Sequence, residues 1–230
     1  MRKNKLKIVF FNKKIIFLSI FCIFLSIFIY FFPNIIKTAS PKTNYIIAVD
    51  AGHGGIDGGS VGRTTNVTEA SLNLAYAKCL ETMLKDYGFD VVMTRTTESG
   101  LYSPLAKNKK KDDMKKRKQI IENTNADFVV SIHMNSYTSS SRGAQVFYGE
   151  GDEPSKTLAQ NIQNYFIKNI PHSRKEIKCG DYYILNAIQA PSVLVECGFL
   201  SNPDEEKLLI QEEYKKEICY NILLGILAFM

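Results

Sequence analysis

From residue 45 to the end of the chain, runs of consecutive apolar residues alternate with stretches in which apolar residues recur at the spacing of an amphipathic helix. An uninterrupted apolar run is typical of a strand buried on both faces, as in parallel sheets that helices cover. The alternation therefore predicts an α/β domain with a mostly parallel, about six-stranded sheet flanked by helices. The predicted strands are residues 45–50, 89–94, 128–133, 144–148, 182–185 and 193–197, and the predicted helices are residues 69–87, 113–123 and 154–168, then a short and a longer helix from Pro203 onward.

The N-terminal segment carries a membrane signal. Six cations precede residue 15, residues 15–32 contain no charged side chain, and residues 33–44 form a short polar linker. An apolar run of this length is near the lower limit for a bilayer-spanning helix, and the cations before it place residues 1–14 in the cytoplasm. We expect an uncleaved transmembrane anchor with everything after Pro33 outside the membrane. A cleaved signal segment, which would make the protein secreted, is the alternative.

The formal net charge of +6 belongs to this N-terminal segment and not to the rest of the chain. The first 14 residues hold six cations and no acid, whereas the remaining residues hold 23 cations and 23 acids. A nucleic-acid partner requires a basic excess on the folded domain, so the distribution argues against one. It favours the membrane as the partner of the basic N-terminus.

Cysteine spacing argues against a thiolate metal site, because the sequence contains no C-x-x-C pair. Cys22 lies in the N-terminal apolar segment, and Cys79, Cys179, Cys197 and Cys219 are scattered through the domain. An extracytoplasmic compartment permits disulfides, yet scattered cysteines in a domain of this size more often act as small buried hydrophobic residues. We expect that role for these four.

Three side chains suited to metal binding or proton transfer stand at the ends of predicted strands. His53 follows the first strand, His133 ends the third and Glu196 ends the last. Ligands of an open α/β sheet bind outside the carboxyl ends of its strands, so these side chains converge if the strands are parallel. Glu69 lies in the first turn of the helix after strand one, at the same edge. Two imidazoles and one carboxylate form a known catalytic zinc set that leaves a position for water.

Each of these residues also has a purely structural explanation. His53 lies in a glycine-rich segment, DAGHGG, that is typical of a tight loop. His133 could be a histidine at the end of a strand whose ring nitrogens form ordinary hydrogen bonds within the protein. Glu69 suits a helix N-terminus through the helix dipole. Glu196 is the hardest to explain in this way, because a carboxylate at the end of an apolar strand is costly to bury without a metal or cation. His172, in PHSRK, is expected to lie in a surface loop.

Five segments resemble, in order, the motifs of the zinc-dependent N-acetylmuramoyl-L-alanine amidases. They are IAVDAGHGGIDGG at 47–59, TEASLN at 68–73, MTRT at 93–96, SIHMN at 131–135 and VLVECGFLSN at 193–202. The resemblance covers nearly all of residues 45–230 and marks them as the catalytic domain. It implies zinc ligands at His53, Glu69 and His133, and an acid/base role for Glu196. The implied reaction is hydrolysis of the amide between N-acetylmuramic acid and the L-alanine of the peptidoglycan stem peptide.

Within that family the chain is similar to the short, singly anchored amidases that act on spore cortex, which are called germination-specific. The shared features are one N-terminal hydrophobic segment, no wall-binding repeats and no inserted blocking helix near the site. This similarity implies a role in cortex maturation, where muramic lactam forms. It also favours an accessory targeting or activating protein as a partner, since no wall-binding module is present to target the enzyme.

Two other functions remain open: a zinc peptidase that cuts within the stem peptide, and an inactive, metal-bearing wall-binding scaffold. The resemblance is poorest at the basic stretch KNKKKDD, residues 107–113, which we expect to be a solvated charged face. Arg95 and Arg117 fall at positions where the family often has arginine. They either order a loop on the substrate side or form structural salt bridges.

Overall fold

The structure, a computed structural model, describes Lys14, Phe17, residues 19–24 and residues 44–230. The chain divides into two compact units, Met1–Ser40 and Pro41–Met230. The described residues of the first unit are helical. Most of the predicted membrane segment, residues 15–32, and nearly all of the predicted linker, residues 33–44, lie outside the described residues. Among the residues that are described, no helix has both the length and the apolar character needed to span a bilayer.

One six-stranded sheet forms the centre of the second unit. Its spatial order is β2-β1-β3-β6-β4-β5. β4 runs antiparallel to β6, and the other neighbouring pairs are parallel, so the sheet is mixed. The prediction of an α/β domain around a six-stranded sheet is confirmed. The strands are β1 (Ile46–Ala51), β2 (Asp90–Met93), β3 (Phe128–Asn135), β4 (Gln145–Tyr148), β5 (Lys178–Cys179) and β6 (Ser192–Phe199).

Helices cover both faces of the sheet. The first begins after Thr68, whose hydroxyl accepts a hydrogen bond from the Ser71 amide, and it ends at Gly88, as predicted. The second begins four residues earlier than predicted, because Asn108 caps it by accepting from the Lys111 amide at 2.9 Å. The helices are α1 (Glu69–Tyr87), α2 (Lys109–Asn123), α3 (Glu153–Asn169), α4 (Tyr183–Asn186), α5 (Pro203–Leu209) and α6 (Glu212–Phe229).

The prediction of a strand at residues 182–185 is wrong, since these residues form most of the short helix α4. The carbonyl of Tyr182 accepts hydrogen bonds from the amides of Leu185 and Asn186, which closes a helical turn. The neighbouring side chains Ile184 and Leu185 are both buried in one apolar cluster. A strand would point them to opposite faces, so the turn buries more apolar surface here. The sixth strand is instead β5, at the edge of the sheet.

The strands are buried on both faces, which explains their uninterrupted apolar sequences. On one face, alternate strand side chains pack with α1, α3 and α6 in the larger core, and on the other face they pack with α2 and α4. The predicted apolar stripe of α6 lies in the larger core, where Ile218, Ile222 and Ile226 are fully buried. Cys197 and Cys219 are buried as expected. The expectation is wrong for Cys179, which is exposed because β5 is an edge strand, and Cys79 is only partly buried.

Candidate metal centre

The carboxyl ends of β1, β3 and β6 lie side by side, and a glycine-rich loop follows β1. The amide of Gly52 donates to the carbonyl of Ile132 at 3.1 Å, which ties the start of this loop to β3. A Cβ atom at Gly52 would overlap the imidazole of His133, so only glycine allows the ring to lie against the loop. His53 follows with φ of 61°, a left-handed conformation that is unfavourable for a residue with a side chain. The backbone thereby directs one imidazole toward the other.

The structure brings Glu69 between the two histidines. Its carboxylate, at the first position of α1, is almost completely buried. Oε1 lies 3.1 Å from His53 Nε2 and 3.0 Å from His133 Nδ1, while Oε2 accepts a hydrogen bond from the Ser60 amide at 2.8 Å. Burial opposes ionisation of this carboxyl, but the contacts with His133 and His53 outweigh burial and hold the pKa of Glu69 well below its ordinary value.

These three residues fit a metal ion. One ligand atom from each of His53, Glu69 and His133 lies within 4.8 Å of the others. Atoms that share a tetrahedral zinc ion at about 2.0–2.1 Å are about 3.3 Å apart, close to the two histidine–carboxylate distances. Two imidazole nitrogens and one carboxylate oxygen are donors that zinc accepts. His172 lies outside this group in an exposed loop, as expected.

Asp57, four residues after His53, is a site residue that sequence reasoning missed. Its Oδ1 lies 3.0 Å from His53 Nδ1, although the angle at the imidazole nitrogen does not meet that of a hydrogen bond. Its Oδ2 lies 3.2 Å from Lys110 Nζ. Burial alone would lower the pKa of His53, but Glu69 and then Asp57 raise it. A carboxylate beside the second nitrogen of a metal-binding histidine fixes the orientation of the ring. The aspartate of GHGGID was the available signal.

Glu196 stands next to this group on β6, paired in register with His133 on β3. It is 7% exposed, and among the described residues its Oε2 has no hydrogen-bond partner. Burial, and then the negative charge of Glu69, raise the pKa of Glu196 to about 8. Burial and the charges of these two glutamates also raise the pKa of the Tyr182 phenol. The centre therefore combines an ionised carboxylate with one that holds a proton near neutral pH.

A buried charge network lies beneath the loop. Arg117, which is 1% exposed, donates to Asp50 Oδ1 at 2.8 Å and to Asp113 Oδ2 at 2.6 Å. The hydroxyls of Thr94 and Ser131 donate to the two oxygens of Asp50 at 2.6 and 2.7 Å. Burial opposes ionisation of Asp50, but the charge of Arg117 and these hydrogen bonds lower its pKa to about 2. Each charge in the network has a partner.

Two arginines hold the backbone of the loop. Arg117 donates to the carbonyls of Ala51 and His53. Arg95 donates to the carbonyls of Ala51 and Gly52, each at 2.9 Å. Both arginines are buried; the hydrogen bonds of Arg95 go to backbone carbonyls, whereas Arg117 also donates to the carboxylates of Asp50 and Asp113. Of the two roles open for these residues, Arg95 orders the loop that carries His53, whereas Arg117 both forms structural salt bridges and holds that loop.

A cleft of about 590 Å³ lies beside Glu196. Gln145 of β4 pairs in register with Glu196 and lines the cleft, and Tyr182 lines it as well. Its walls combine polar and aromatic side chains, a composition suited to a polar ligand with apolar faces. The lining residues are Asn135, Ser136, Tyr137, Ser141, Gln145, Phe147, Arg174, Lys178, Tyr182 and Phe199.

The chain matches one protein family over most of its length. The family model described as N-acetylmuramoyl-L-alanine amidase matches residues 47–228. The chain is 32% identical over 194 residues to the germination-specific N-acetylmuramoyl-L-alanine amidase of Bacillus subtilis, covering 82% of this chain and 81% of that protein.

Solved structures of amidases share the fold. The CwlD amidase from Clostridioides difficile, solved in complex with the GerS lipoprotein, is 37% identical, with a TM-score of 0.77 over 81% of this chain and 98% of that chain. The catalytic domain of CwlV, an N-acetylmuramoyl-L-alanine amidase from Bacillus (Paenibacillus) polymyxa, is 32% identical, with a TM-score of 0.71 over 80% of this chain and 97% of that chain.

Replacing Arg117 with methionine should destabilise the domain strongly. The substitution leaves the buried carboxylates of Asp50 and Asp113 without their cation, and breaking a buried ion pair from one side costs about 3–5 kcal/mol. Urea unfolding measures this loss. The matched control is Lys116→Met on the same helix, whose ion pair with the partly exposed Asp112 should contribute little to stability. Equal losses for the two variants would contradict the proposed importance of the network.

Replacing Glu196 with glutamine should remove a pH dependence from the stability of the metal-free domain. Between its ordinary value of 4.5 and its folded pKa of about 8, Glu196 holds a proton in the folded state and loses it on unfolding. The free energy of unfolding therefore falls as pH rises through this window, by up to about 1.4 kcal/mol per pH unit, and the loss is complete above pH 8. Urea unfolding in chelator should show the advantage of Glu196→Gln growing across this window, and a constant difference would refute the shift.

Proposed function

We propose a zinc-dependent mechanism for this chain, which belongs to the N-acetylmuramoyl-L-alanine amidase family. The chain hydrolyses the amide that joins N-acetylmuramic acid to the L-alanine of the peptidoglycan stem peptide. The observation that carries the mechanism is the convergence of His53, Glu69 and His133 on one point beside the buried carboxyl of Glu196. A metal site and an acid/base group are the two parts of metal-assisted amide hydrolysis.

His53, Glu69 and His133 would hold the zinc ion. Two neutral imidazoles and one carboxylate leave such a site with a net positive charge. When bound there, zinc lowers the pKa of water to about 7 and polarises the substrate carbonyl as a Lewis acid. The chain contributes the rigid placement of these ligands. Asp57 orients the His53 ring from behind, and Arg95 and Arg117 fix the backbone that carries it.

Glu196 would move the proton. Its carboxylate accepts a proton from the attacking water, and it then donates that proton to the nitrogen of the leaving L-alanine. The pKa of about 8 belongs to the metal-free site, and a zinc ion bound beside Glu196 would lower it and so favour the carboxylate that accepts the proton. Among the described residues none donates a hydrogen bond to Oε2, so no protein donor competes for the proton that this carboxyl carries. The cleft beside Glu196 offers polar groups and aromatic rings to the glycan.

The proposed setting is the spore cortex, on the outer side of the membrane. Similarity to the germination-specific amidase of Bacillus subtilis supports a role in cortex maturation. The cations before residues 15–32 support an anchor that places the catalytic domain outside, or a secreted enzyme if the segment is cleaved. A relative solved in complex with a lipoprotein supports an accessory protein as a partner.

Two substitutions separate metal binding from proton transfer. Glu196→Gln should keep the metal and lose at least about 100-fold in turnover, because a carboxamide cannot shuttle the proton. His53→Ala should lose both metal and activity, and His172→Ala, in an exposed loop, is the control that should lose neither. Zinc content by mass spectrometry and release of peptide from purified peptidoglycan are the readouts. Retained activity in Glu196→Gln would falsify its acid/base role.

A further inference from the structure

Positive charge is concentrated in one short stretch of the catalytic domain. Eight of the chain's 29 lysines and arginines lie in residues 107–118, together with only two acids, Asp112 and Asp113. The other residues from 44 to 230 hold 13 cations and 21 acids. A single basic helix, α2, therefore stands on an otherwise acidic domain. Charge segregation of this kind produces a local positive potential that attracts anions.

The basic residues of α2 form one wall of a groove of about 580 Å³. Lys111 and Lys115, four residues apart, lie on one face of the helix and are exposed. Among the residues that the structure describes, no carboxylate lies within ion-pair distance of either. The groove is lined by Asn108, Lys110, Lys111, Met114, Lys115, Lys118, Gln119, Glu122 and Tyr183.

Helix stability does not account for these lysines. Residues 109–111 are three successive cations in the first turn of α2, where the helix dipole disfavours positive charge. Lys111 and Lys115 are also a like-charge pair at i and i+4, which is unfavourable on an isolated helix. A bound anion would convert both repulsive arrangements into attractive ones. Met114 and the half-exposed ring of Tyr183 add apolar surface for a peptide backbone or aliphatic side chain.

The groove is connected to the metal centre at two points. Lys110, which lines the groove, contacts Asp57, which in turn contacts His53. Tyr183 lines the groove, while the adjacent Tyr182 lines the cleft beside Glu196. The two depressions therefore approach each other at the start of α4.

We propose that this groove binds the stem peptide through the free carboxylates of the residues beyond L-alanine. The inference rests on the proposed function, which places the scissile amide at the metal centre. Two contacts of 3.0 and 3.2 Å join His53 to Lys110, so the groove begins on the order of 10 Å from the ligand nitrogen. An extended chain covers about 3.3–3.6 Å per residue, so about three residues span this distance, and the third and fourth residues of the stem reach the groove. The glycan then occupies the cleft that Tyr182 lines.

Paired substrates test this assignment. One is a soluble muropeptide with a stem peptide whose carboxylates are free, and the other is the same molecule with those carboxylates converted to carboxamides. Wild-type enzyme should show a kcat/KM about 3- to 10-fold higher for the acid, the effect of one or two solvent-exposed charge pairs. The difference should appear mainly in KM and should shrink in 1 M salt, where the screening length is about 3 Å.

The double variant Lys111→Gln, Lys115→Gln should lose this preference, so that the ratio of the two kcat/KM values falls to about one. The control, Lys78→Gln with Lys168→Gln, removes the same charge from exposed positions on α1 and α3 and should keep the wild-type ratio. Equal melting temperatures of the two variants establish that both are folded.

An equal kcat/KM for both substrates in the wild type, or an unchanged preference in the Lys111/Lys115 variant, would overturn the proposal. Loss of binding to anionic lipid vesicles with an unchanged preference would assign the lysines to a membrane surface and would also overturn it. A wild type that cuts neither muropeptide would instead refute the proposed function itself.

Discussion

The buried ion pair between Arg117 and Asp50 is the interaction on which the candidate metal centre depends. It joins α2 to the end of β1, and the same guanidinium holds the carbonyl of His53. His53 adopts a left-handed backbone conformation that is unfavourable by itself, so the surrounding contacts must hold it there. Burying charges is costly unless each is paired, and here Asp113, Thr94 and Ser131 complete the pairing. The network thus holds the loop in the conformation that brings His53 to the other ligands.

Much of the site follows from the sequence, because parallel strands end at one edge of a sheet. The apolar runs before His53 and His133 and around Glu196 predict strands, and the parallel pairing of β1, β3 and β6 brings these three side chains together. Glu69 depends on the resemblance to known amidases, since nothing in its local sequence distinguishes a ligand from a residue that favours a helix N-terminus. The sequence does not predict the role of Asp57, because its contact with His53 depends on how the glycine-rich loop folds back on itself.

The parts that could not be predicted depend on long-range packing. Asp50 and Arg117 are 67 residues apart, and no local pattern pairs them. The short apolar run at 182–185 is compatible with either strand or helix, and tertiary burial of Ile184 beside Leu185 decides for helix. Cys179 is exposed because β5 lies at the sheet edge, which the sequence does not reveal. The excess charge of α2 was visible in the sequence, but its position beside the metal centre was not.

Mass spectrometry of purified peptidoglycan digested by the wild-type, zinc-loaded protein tests the central claim most directly. An amidase that works through this centre releases peptides beginning with L-alanine and leaves muramic acid without a peptide. The account predicts these products and their loss when the metal is chelated. Muramic acid that retains L-alanine would identify a peptidase and would contradict the account, as would the absence of any cleavage.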